Sequence, residues 1–323
     1  MEHIRVDSIT KTYLVKQRAS GVLQGVKSFF HPTYNTIDAV KNVSFSVKRG
    51  EIVGYIGPNG AGKSTTLKLL SGILVPSDGK CFVNGLEPYV HRKACALKMG
   101  VVFGQRTQLL WDLPVLDALD LQRHLYRVSK PAYHRNLDLL IELLDMSSFM
   151  NQPARQLSLG QKMRANLAMA LIYEPEVLFL DEPTIGLDIL AKDTIRRFLK
   201  TINKELATTI MLTTHDMGDV EALCSRLIFI DHGSLLYDGS LESFVHTYSS
   251  GYTLRVEFAD TVITKVPDTE VVAQSGNRVD FHVKDHSIRP GSLLRYLTNS
   301  ADIVDVAVVN NSIEDILRRL YRK

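Results

Sequence analysis

The sequence predicts an α/β fold, with an open mixed sheet flanked by helices over residues 1–243, followed by a small α+β domain at 245–323. Strand-like apolar runs alternate with helix-like runs in the first part, which is the pattern of an open α/β sheet. In the second part apolar and polar residues alternate with period two. A chain of 323 residues, 45% hydrophobic and 23% charged, is long and apolar enough for both domains.

The elements of the first domain follow from local patterns. The stretches EIVGYIG (51–57) and EVLFLDEP (176–183) are short apolar runs ended by turn residues, as expected of buried strands. Leucines recur at helical spacing on either side of Pro131, and they predict a helical subdomain at about 106–165. The members of this series are Leu116, Leu119, Leu125, Leu137, Leu140 and Leu144.

The second domain is predicted from two alternating strands and one helix. TLRVEF and VDFHV each place three apolar residues on one face, namely Leu254, Val256 and Phe258, and Val279, Phe281 and Val283. A final helix is expected to start at Ser312, with Asp315 completing a capping pair. No residue pattern here indicates catalysis, and a ligand-sensing role and a dimer-steadying role both stay open.

Composition excludes several classes of function. A net charge of +3 points to no particular partner, and we expect no nucleic acid. Three widely separated cysteines fit a reducing cytosol and argue against a disulfide scaffold. There is no run of 18 apolar residues and no apolar core of signal-peptide length. Any membrane work is therefore expected to depend on a partner.

The strongest chemical signal is GPNGAGKST at 57–65, which fits G-x-x-x-x-G-K-[ST] between a strand and a helical pattern. Its glycines let backbone N–H groups wrap a polyphosphate at a helix N-terminus. Lys63 is expected to reach the terminal phosphates of ATP and Ser64 to ligate Mg²⁺. The predicted nucleotide-binding residues are Gly57, Pro58, Asn59, Gly60, Ala61, Gly62, Lys63, Ser64 and Thr65. The alternative is a glycine-rich structural turn.

A second signal is VLFLDEPTIGLD, in which four apolar residues deliver two carboxylates to the end of a buried strand. Asp181 is expected to hold Mg²⁺, and Glu182 to polarise an attacking water as general base. The alternative is a pair of solvated carboxylates at a strand end.

Five motifs in order, GPNGAGKST, LSLGQ, LFLDEP, IGLD and TTHD, resemble the nucleotide-binding subunit of an ABC transporter over residues 1 to about 243. The resemblance implies a P-loop ABC-type nucleotide-binding domain that hydrolyses ATP with Mg²⁺. It further implies that two copies, or this chain and a paralogue, sandwich ATP and drive a separate integral-membrane permease. The expected location is peripheral, on the cytoplasmic face of the cell membrane.

The resemblance also assigns roles to single residues. Tyr13 matches the aromatic residue that stacks on adenine, although it is also compatible with a surface tyrosine. His215 matches the histidine that holds the γ-phosphate and the attacking water, although a lone histidine often only ends a strand. Asp188 matches the aspartate that couples the two sites of a dimer. Gln105 resembles the glutamine that senses Mg²⁺, the attacking water and the transmembrane partner, but Gly104 precedes it where the family usually has none. Gln108 is a second candidate, and Gln105 is preferred because it lies nearer the strand end.

LSLGQ at 157–161 carries Leu159 where the family usually has glycine. By itself the stretch is a helix capped by Ser158. Ser158, Gly160 and Gln161 are nevertheless expected to contact the γ-phosphate of ATP held by the opposite subunit, because the backbone N–H groups and the helix end survive the substitution. Leu159 is expected to affect how closely the dimer shuts.

FGQRTQLLWDLPV, ARQLSLGQKMRANLA and SIEDIL look like the ATPases of type-2 ABC exporters, whose partners are separate six-helix permeases. An importer ATPase with a regulatory tail is the closest alternative. A non-transport ABC ATPase and a small-molecule kinase account for fewer of the motifs. The permease contact is expected around Gln105 to Leu113, where Trp111 is either an interface anchor or a core residue.

Residues 14–36 form a predicted insertion that carries Lys16, Arg18, Lys27 and His31 and no acidic residue. Within it one helical stripe is apolar, comprising Val22, Leu23, Val26, Phe29 and Phe30. One hypothesis is a basic amphipathic helix that lies against the permease or the inner-leaflet headgroups. The other is that the stripe packs on its own domain.

Overall fold

The computed structural model describes residues 2–16, 34–104, 107–248, 251–260, 262–285, 288–310 and 313–320. The chain divides into two compact units, Met1–Ser240 and Leu241–Lys323. The α/β class predicted from the sequence is confirmed for the first unit by a parallel-rich sheet with helices.

Unit one contains strands and helices in alternation after an initial pair of long strands. Its strands are β1 (Glu2–Lys16), β2 (Tyr34–Lys48), β3 (Ile52–Ile56), β4 (Asp78–Val83), β5 (Met99–Phe103), β6 (Val177–Asp181), β7 (Thr209–Thr213), β8 (Arg226–Asp231) and β9 (Ser234–Ser240). Its helices are α1 (Lys63–Leu70), α2 (Arg92–Ala96), α3 (Val115–Leu125), α4 (Lys130–Leu143), α5 (Leu159–Leu171), α6 (Ile189–Leu206) and α7 (Met217–Leu223).

The main sheet has the order β5-β6-β7-β3-β8-β9, in which the first five strands are parallel and β9 is antiparallel to β8. β3 is buried along its whole length, and β6 up to Leu180, as expected for central strands covered on both faces. The carboxyl ends of β3, β6 and β7 therefore lie along one edge of the sheet. This edge holds the site described below.

A second, antiparallel sheet of order β2-β1-β4 was not predicted from the sequence. Its apolar face shares one core with the main sheet and α1, to which Ile4, Tyr55, Leu67 and Phe179 contribute. The ends of the predicted insertion continue the β1–β2 pairing as far as Lys16 and Tyr34. The apolar stripe proposed for Val22 to Phe30 lies outside the described residues.

The helical subdomain contains α3, α4 and α5, with two short 3-10 turns between α4 and α5. Pro131 stands in the first turn of α4, where its missing N–H breaks no intrahelical hydrogen bond. Ser129 caps the same helix by accepting the N–H of Ala132. The two leucine series thus lie on separate helices, of which α3 ends at Leu125 and α4 begins at Lys130.

Among its described residues, the second unit has a four-stranded antiparallel sheet of order β11-β12-β10-β13 and three helices. Its elements are α8 (Leu241–Tyr248), β10 (Tyr252–Phe258), β11 (Thr269–Ser275), β12 (Arg278–Val283), α9 (Pro290–Thr298), β13 (Ile303–Asn310) and α10 (Ile313–Leu320). The six apolar residues predicted to share faces on β10 and β12 are buried in its core, which confirms the predicted faces. Ser312, the predicted helix start, lies outside the described residues.

None of the helices in the described part of the chain combines the length and apolar character that a membrane crossing requires.

Candidate functional site

The phosphate loop joins the buried end of β3 to the first turn of α1. Gly62 caps this helix with φ of +105°, and a Cβ there would lie 2.2 Å from the carbonyl oxygen of Ala39. Only glycine meets both conditions. Thr66 anchors the first turn, since its N–H and its hydroxyl both donate to the carbonyl of Gly62. The loop therefore presents an open helix N-terminus, which favours anions.

Lys63 folds back inside this loop. Its Nζ donates to the carbonyl oxygens of Gly57 at 2.8 Å and Pro58 at 3.0 Å, and the residue is only 6% exposed. Burial lowers the pKa of the Lys63 ammonium group, and the carboxylates of Glu182 and Asp181 partly oppose this shift. A buried cation whose partners are two carbonyl oxygens suits a polyphosphate.

Ser64 and Asp181 meet although they are 117 positions apart in the chain. The Ser64 hydroxyl donates to Oδ1 of Asp181 at 3.0 Å, and the Thr213 hydroxyl donates to the same oxygen at 2.6 Å. These hard oxygen donors fit Mg²⁺, which is usually held by one or two carboxylates together with phosphate and water. Sequence analysis missed Thr213, which opens the TTHD motif.

A cavity of about 320 Å³ lies beside this pair. Its lining comprises Ser64, Lys68, Ile73, Phe103, Gly104, Asp181 and Glu182. The carboxylates of Asp181, the predicted metal ligand, and Glu182, the predicted base, thus line the same cavity as Ser64 of the phosphate loop. The arrangement accommodates a charged group larger than a single ion.

Glu182 and His215 also come together. Nδ1 of His215 lies 3.0 Å from a carboxylate oxygen of Glu182, whose side chain is 20% exposed while that of His215 is 50% exposed. Glu182 has φ of +55°, and its N–H donates to the carbonyl of Thr213 at 2.9 Å. A left-handed conformation in a non-glycine residue costs roughly 1–2 kcal/mol, and such residues cluster at functional sites. The pair is suited to general base chemistry on a water molecule.

The loop between β5 and α3 approaches the same edge of the sheet. The N–H of Gly104 donates to the carbonyl of Asp181 at 2.7 Å, and a Cβ on Gly104 would lie 2.4 Å from the carbonyl oxygen of Glu182. The additional glycine is therefore required by close backbone approach. Gln105 lies outside the described residues. Gln108 is exposed, and its amide donates to the carbonyl of Val101 at 2.5 Å.

LSLGQ begins α5 with a capping box. Oγ of Ser158 accepts the N–H of Gln161 at 3.2 Å, and the side-chain oxygen of Gln161 accepts the N–H of Ser158 at 2.8 Å. A Cβ on Gly186 would lie 3.1 Å from Leu159 Cδ2, and one on Gly160 would lie 3.3 Å from Ala191. LSLGQ thus borders IGLD within one subunit, and Leu159 is 49% exposed.

Three other predicted residues are placed as follows. Asp188 caps α6 by accepting the N–H of Ala191 at 2.8 Å and is exposed. Tyr13 lies on β1 opposite Ile37, with Nζ of Lys11 5.5 Å from its ring centroid. Trp111 is 65% exposed and its ring faces Nζ of Lys162, so the interpretation as a core residue was wrong.

Comparisons with known proteins agree with this geometry. The family model described as ABC transporter matches residues 40–185. The ABC transporter ATP-binding protein NatA of Bacillus subtilis (strain 168) is 32% identical over 221 residues, which is 68% of this chain and 89% of that protein. The methionine import ATP-binding protein MetN 1 of Staphylococcus aureus (strain N315) is 32% identical over 268 residues, which is 81% of this chain and 77% of that protein.

Solved structures give the same result. A dimeric ATP-binding cassette in a post-hydrolysis state, bound to ADP and Pi, matches with a TM-score of 0.62 and 27% identity, covering 74% of this chain and 98% of that one. This chain thus combines the phosphate loop, the two carboxylates and the histidine in a fold that it shares with a cassette solved after ATP hydrolysis. The chain belongs to the ABC transporter family, as an ATP-binding subunit that hydrolyses ATP.

Proposed function

We propose that this subunit powers an exporter, by closing with a second copy or a paralogue over two molecules of Mg-ATP. The observation that carries the ATP-hydrolysing part of the proposal is the position of Glu182 and His215, 3.0 Å apart, beside the Ser64–Asp181 pair at the phosphate loop. In the closed dimer the phosphate loop of one subunit faces LSLGQ of the other. Closure moves the permease, and hydrolysis resets it.

Each predicted residue has a role in this proposal. Glu182 takes the proton of the attacking water. His215 holds that water and the γ-phosphate, and Asp188 couples the two sites across the dimer. Tyr13 stacks on adenine, and Gln105 senses Mg²⁺. Ser64 and Asp181 would hold Mg²⁺, which when bound would neutralise negative charge on the phosphates.

Exposed apolar side chains support the permease contact that is expected around Gln105 to Leu113. Leu110 and Trp111 are 55% and 65% exposed. Adjacent exposed apolar side chains of this size favour an interaction surface. An exposed aromatic residue is a typical interface anchor. We place the permease at this surface, with the ATPase peripheral on the cytoplasmic face of the membrane.

Export is the finer part of the proposal and rests on the resemblance of three segments to type-2 exporter ATPases. Import is the second candidate, and the observation that favours it is the likeness to the methionine import protein MetN 1 over 81% of this chain.

Purification from detergent-solubilised membranes tests the proposal. We expect the tagged full-length chain, trapped with Mg-ATP by Glu182→Gln, to bring down an integral-membrane protein. A six-helix permease of the type-2 class supports export, whereas an importer permease supports the second candidate. Recovery of ribosomal or DNA-repair proteins without a membrane partner would refute both.

Residues 14–36 provide a further expectation about the membrane. We propose that this basic, acid-free insertion contacts the permease or the anionic headgroups of the inner leaflet. Deletion of residues 16–32 should spare ATP binding and reduce the fraction of the protein that sediments with membranes. Unchanged sedimentation would mean that the insertion packs on its own domain. ATP binding by the deleted protein is the control for folding.

Leu159 is expected to limit how tightly the dimer closes. Because its side chain is half exposed beside IGLD, it adds bulk where glycine leaves room, while its backbone N–H stays available. Leu159→Gly should raise ATP turnover or leave it unaltered, as measured by phosphate release at saturating Mg-ATP. Outright loss of turnover in a protein that still binds ATP would show that the leucine is an adaptation of this chain.

A further inference from the structure

A buried carboxylate lies directly behind the catalytic pair. Asp219, in the first turn of α7, is 0% exposed. Its Oδ1 accepts a hydrogen bond from Nε of Arg196 at 2.7 Å and lies 2.7 Å from a terminal nitrogen of the same guanidinium group. Its Oδ2 accepts the hydroxyls of Thr214, at 3.2 Å, and Thr184. The four contacts satisfy both oxygens of the carboxylate.

The partners of Asp219 come from three segments that each carry a proposed site residue. Thr184 stands two residues after Glu182, and Thr214 directly precedes His215. Arg196 lies on α6, the helix that Asp188 caps. One carboxylate thus joins the loop of the general base, the loop of the histidine and the helix behind IGLD.

A second acidic residue extends the cluster, and Asp193 of α6 also lies 3.6 Å from Arg196. Asp216 pairs with Lys192 and lies 3.6 Å from Arg196, so two carboxylates face two cations of α6. Its own N–H donates to the Thr214 hydroxyl at 2.9 Å. Thr214 is therefore held from two sides, by Asp216 and by Asp219. Its main chain leads directly into His215.

Such a cluster is costly to bury and is poor evidence for stability alone. Desolvation of a buried ion pair roughly offsets its attraction, and apolar replacements are often as stable. What the cluster does supply is fixed geometry for two neighbouring loops. Glu182 needs that support because its backbone has a left-handed conformation, which in a non-glycine residue persists only when surrounding contacts hold it.

We infer that Asp219 and Arg196 are positioning residues, which hold Glu182 and His215 at their working separation and tie both to α6. The inference rests on the roles proposed above for Glu182 and His215. Asp219 touches neither nucleotide nor water in this scheme and acts through Thr184 and Thr214. A misplacement of about 1 Å at the reacting groups costs on the order of 10²-fold in rate.

The test compares turnover with binding in Asp219→Asn, which keeps the shape of the side chain and removes its charge. We expect kcat to fall by about 10²-fold, while the Kd for ATP stays close to that of the unchanged protein. Arg226→Met is the matched control. It breaks another partly buried arginine cluster, formed with Asp238 and Glu51. Arg226 is the first residue of β8, whereas the site lies at the carboxyl ends of the parallel strands. The control should lower Tm and leave kcat nearly unchanged.

Two further variants separate position from stability. The double variant Asp219→Asn with Arg196→Met also removes the guanidinium that has lost its fully buried partner, so Tm should rise above that of Asp219→Asn while kcat stays low. Thr214→Val leaves the ion pair in place and should also lower kcat without weakening ATP binding, which covers the case that Asp219→Asn does not fold. The inference is overturned if kcat follows Tm through the series, or if Thr214→Val retains full turnover. Turnover by Glu182→Gln would instead contradict the proposed base and is measured separately.

Discussion

Glu182→Gln is expected to reduce ATP turnover by about 10² to 10⁴-fold, the usual contribution of a positioned general base. Glutamine keeps the size of the side chain and a carbonyl oxygen for His215, but it cannot accept the proton of the attacking water. The phosphate loop is untouched, because Lys63 and Ser64 keep their contacts. Phosphate release at saturating Mg-ATP measures the change in kcat, and equilibrium dialysis measures ATP binding.

A matched control for this substitution is available in the same domain. Glu205 is an exposed glutamate at the end of α6, and Glu205→Gln makes the same chemical change away from the site. It should leave turnover and binding as they were. If Glu182→Gln turned over ATP at the normal rate, another group would have to act as the base. The contact between Glu182 and His215 would then serve only the fold of the two loops.

Lys63→Met is expected to weaken ATP binding by about 10- to 100-fold, since hydrogen bonds to charged groups contribute roughly 1.5–3 kcal/mol. Methionine fills the space of the buried stem and removes the cation that faces the phosphates. Lys200→Met, an exposed position on α6, is the matched control. Undiminished affinity in Lys63→Met would mean that backbone N–H groups alone hold the nucleotide.

The same substitution has a consequence for pH dependence. Because burial lowers the pKa of Lys63, the folded protein binds fewer protons than the unfolded chain between the lowered pKa and the ordinary value of 10.5. The nucleotide-free protein should therefore gain stability as pH rises through this window. Lys63→Met should lack this gain, and urea unfolding at several alkaline pH values would reveal the difference. Equal pH slopes in the two proteins would contradict it.

The phosphate loop was predictable because all its parts are contiguous. Gly57 to Thr65 form one turn and the start of one helix, so local spacing specifies both the shape and the chemistry. The strand before the loop and the strand before Asp181 were predictable for the same reason, since runs of apolar residues report burial on both faces. The alternating strands of the second unit likewise revealed their buried faces.

The surroundings of the catalytic pair were not predictable from local pattern. Thr213 and Ser64 both donate to one oxygen of Asp181, and these three residues come from segments that are far apart in the chain. Asp219, on a helix, accepts from Thr184 and Thr214, which lie in loops. Nothing in the spacing of TTHDMGD distinguishes Asp219 from a solvated helix residue. The antiparallel sheet of β1, β2 and β4 was missed because its pairing depends on residues far along the chain.

Gly104 and Trp111 show the same division between local and tertiary information. Along the sequence Gly104 is an unexplained departure from a family pattern, and only the approach of the Glu182 backbone shows why no side chain fits. For Trp111 the sequence left open a core and a surface position, and its exposure decided between them.

The sequence by itself determined the fold class, the nucleotide site and the identity of the chemical groups, because these depend on residue types at short spacing. The tertiary structure decided which of those groups meet, at what distance, and what stands behind them. The physical reason is that hydrogen bonds and ion pairs act over a few ångströms, a distance that position along a folded chain does not reveal.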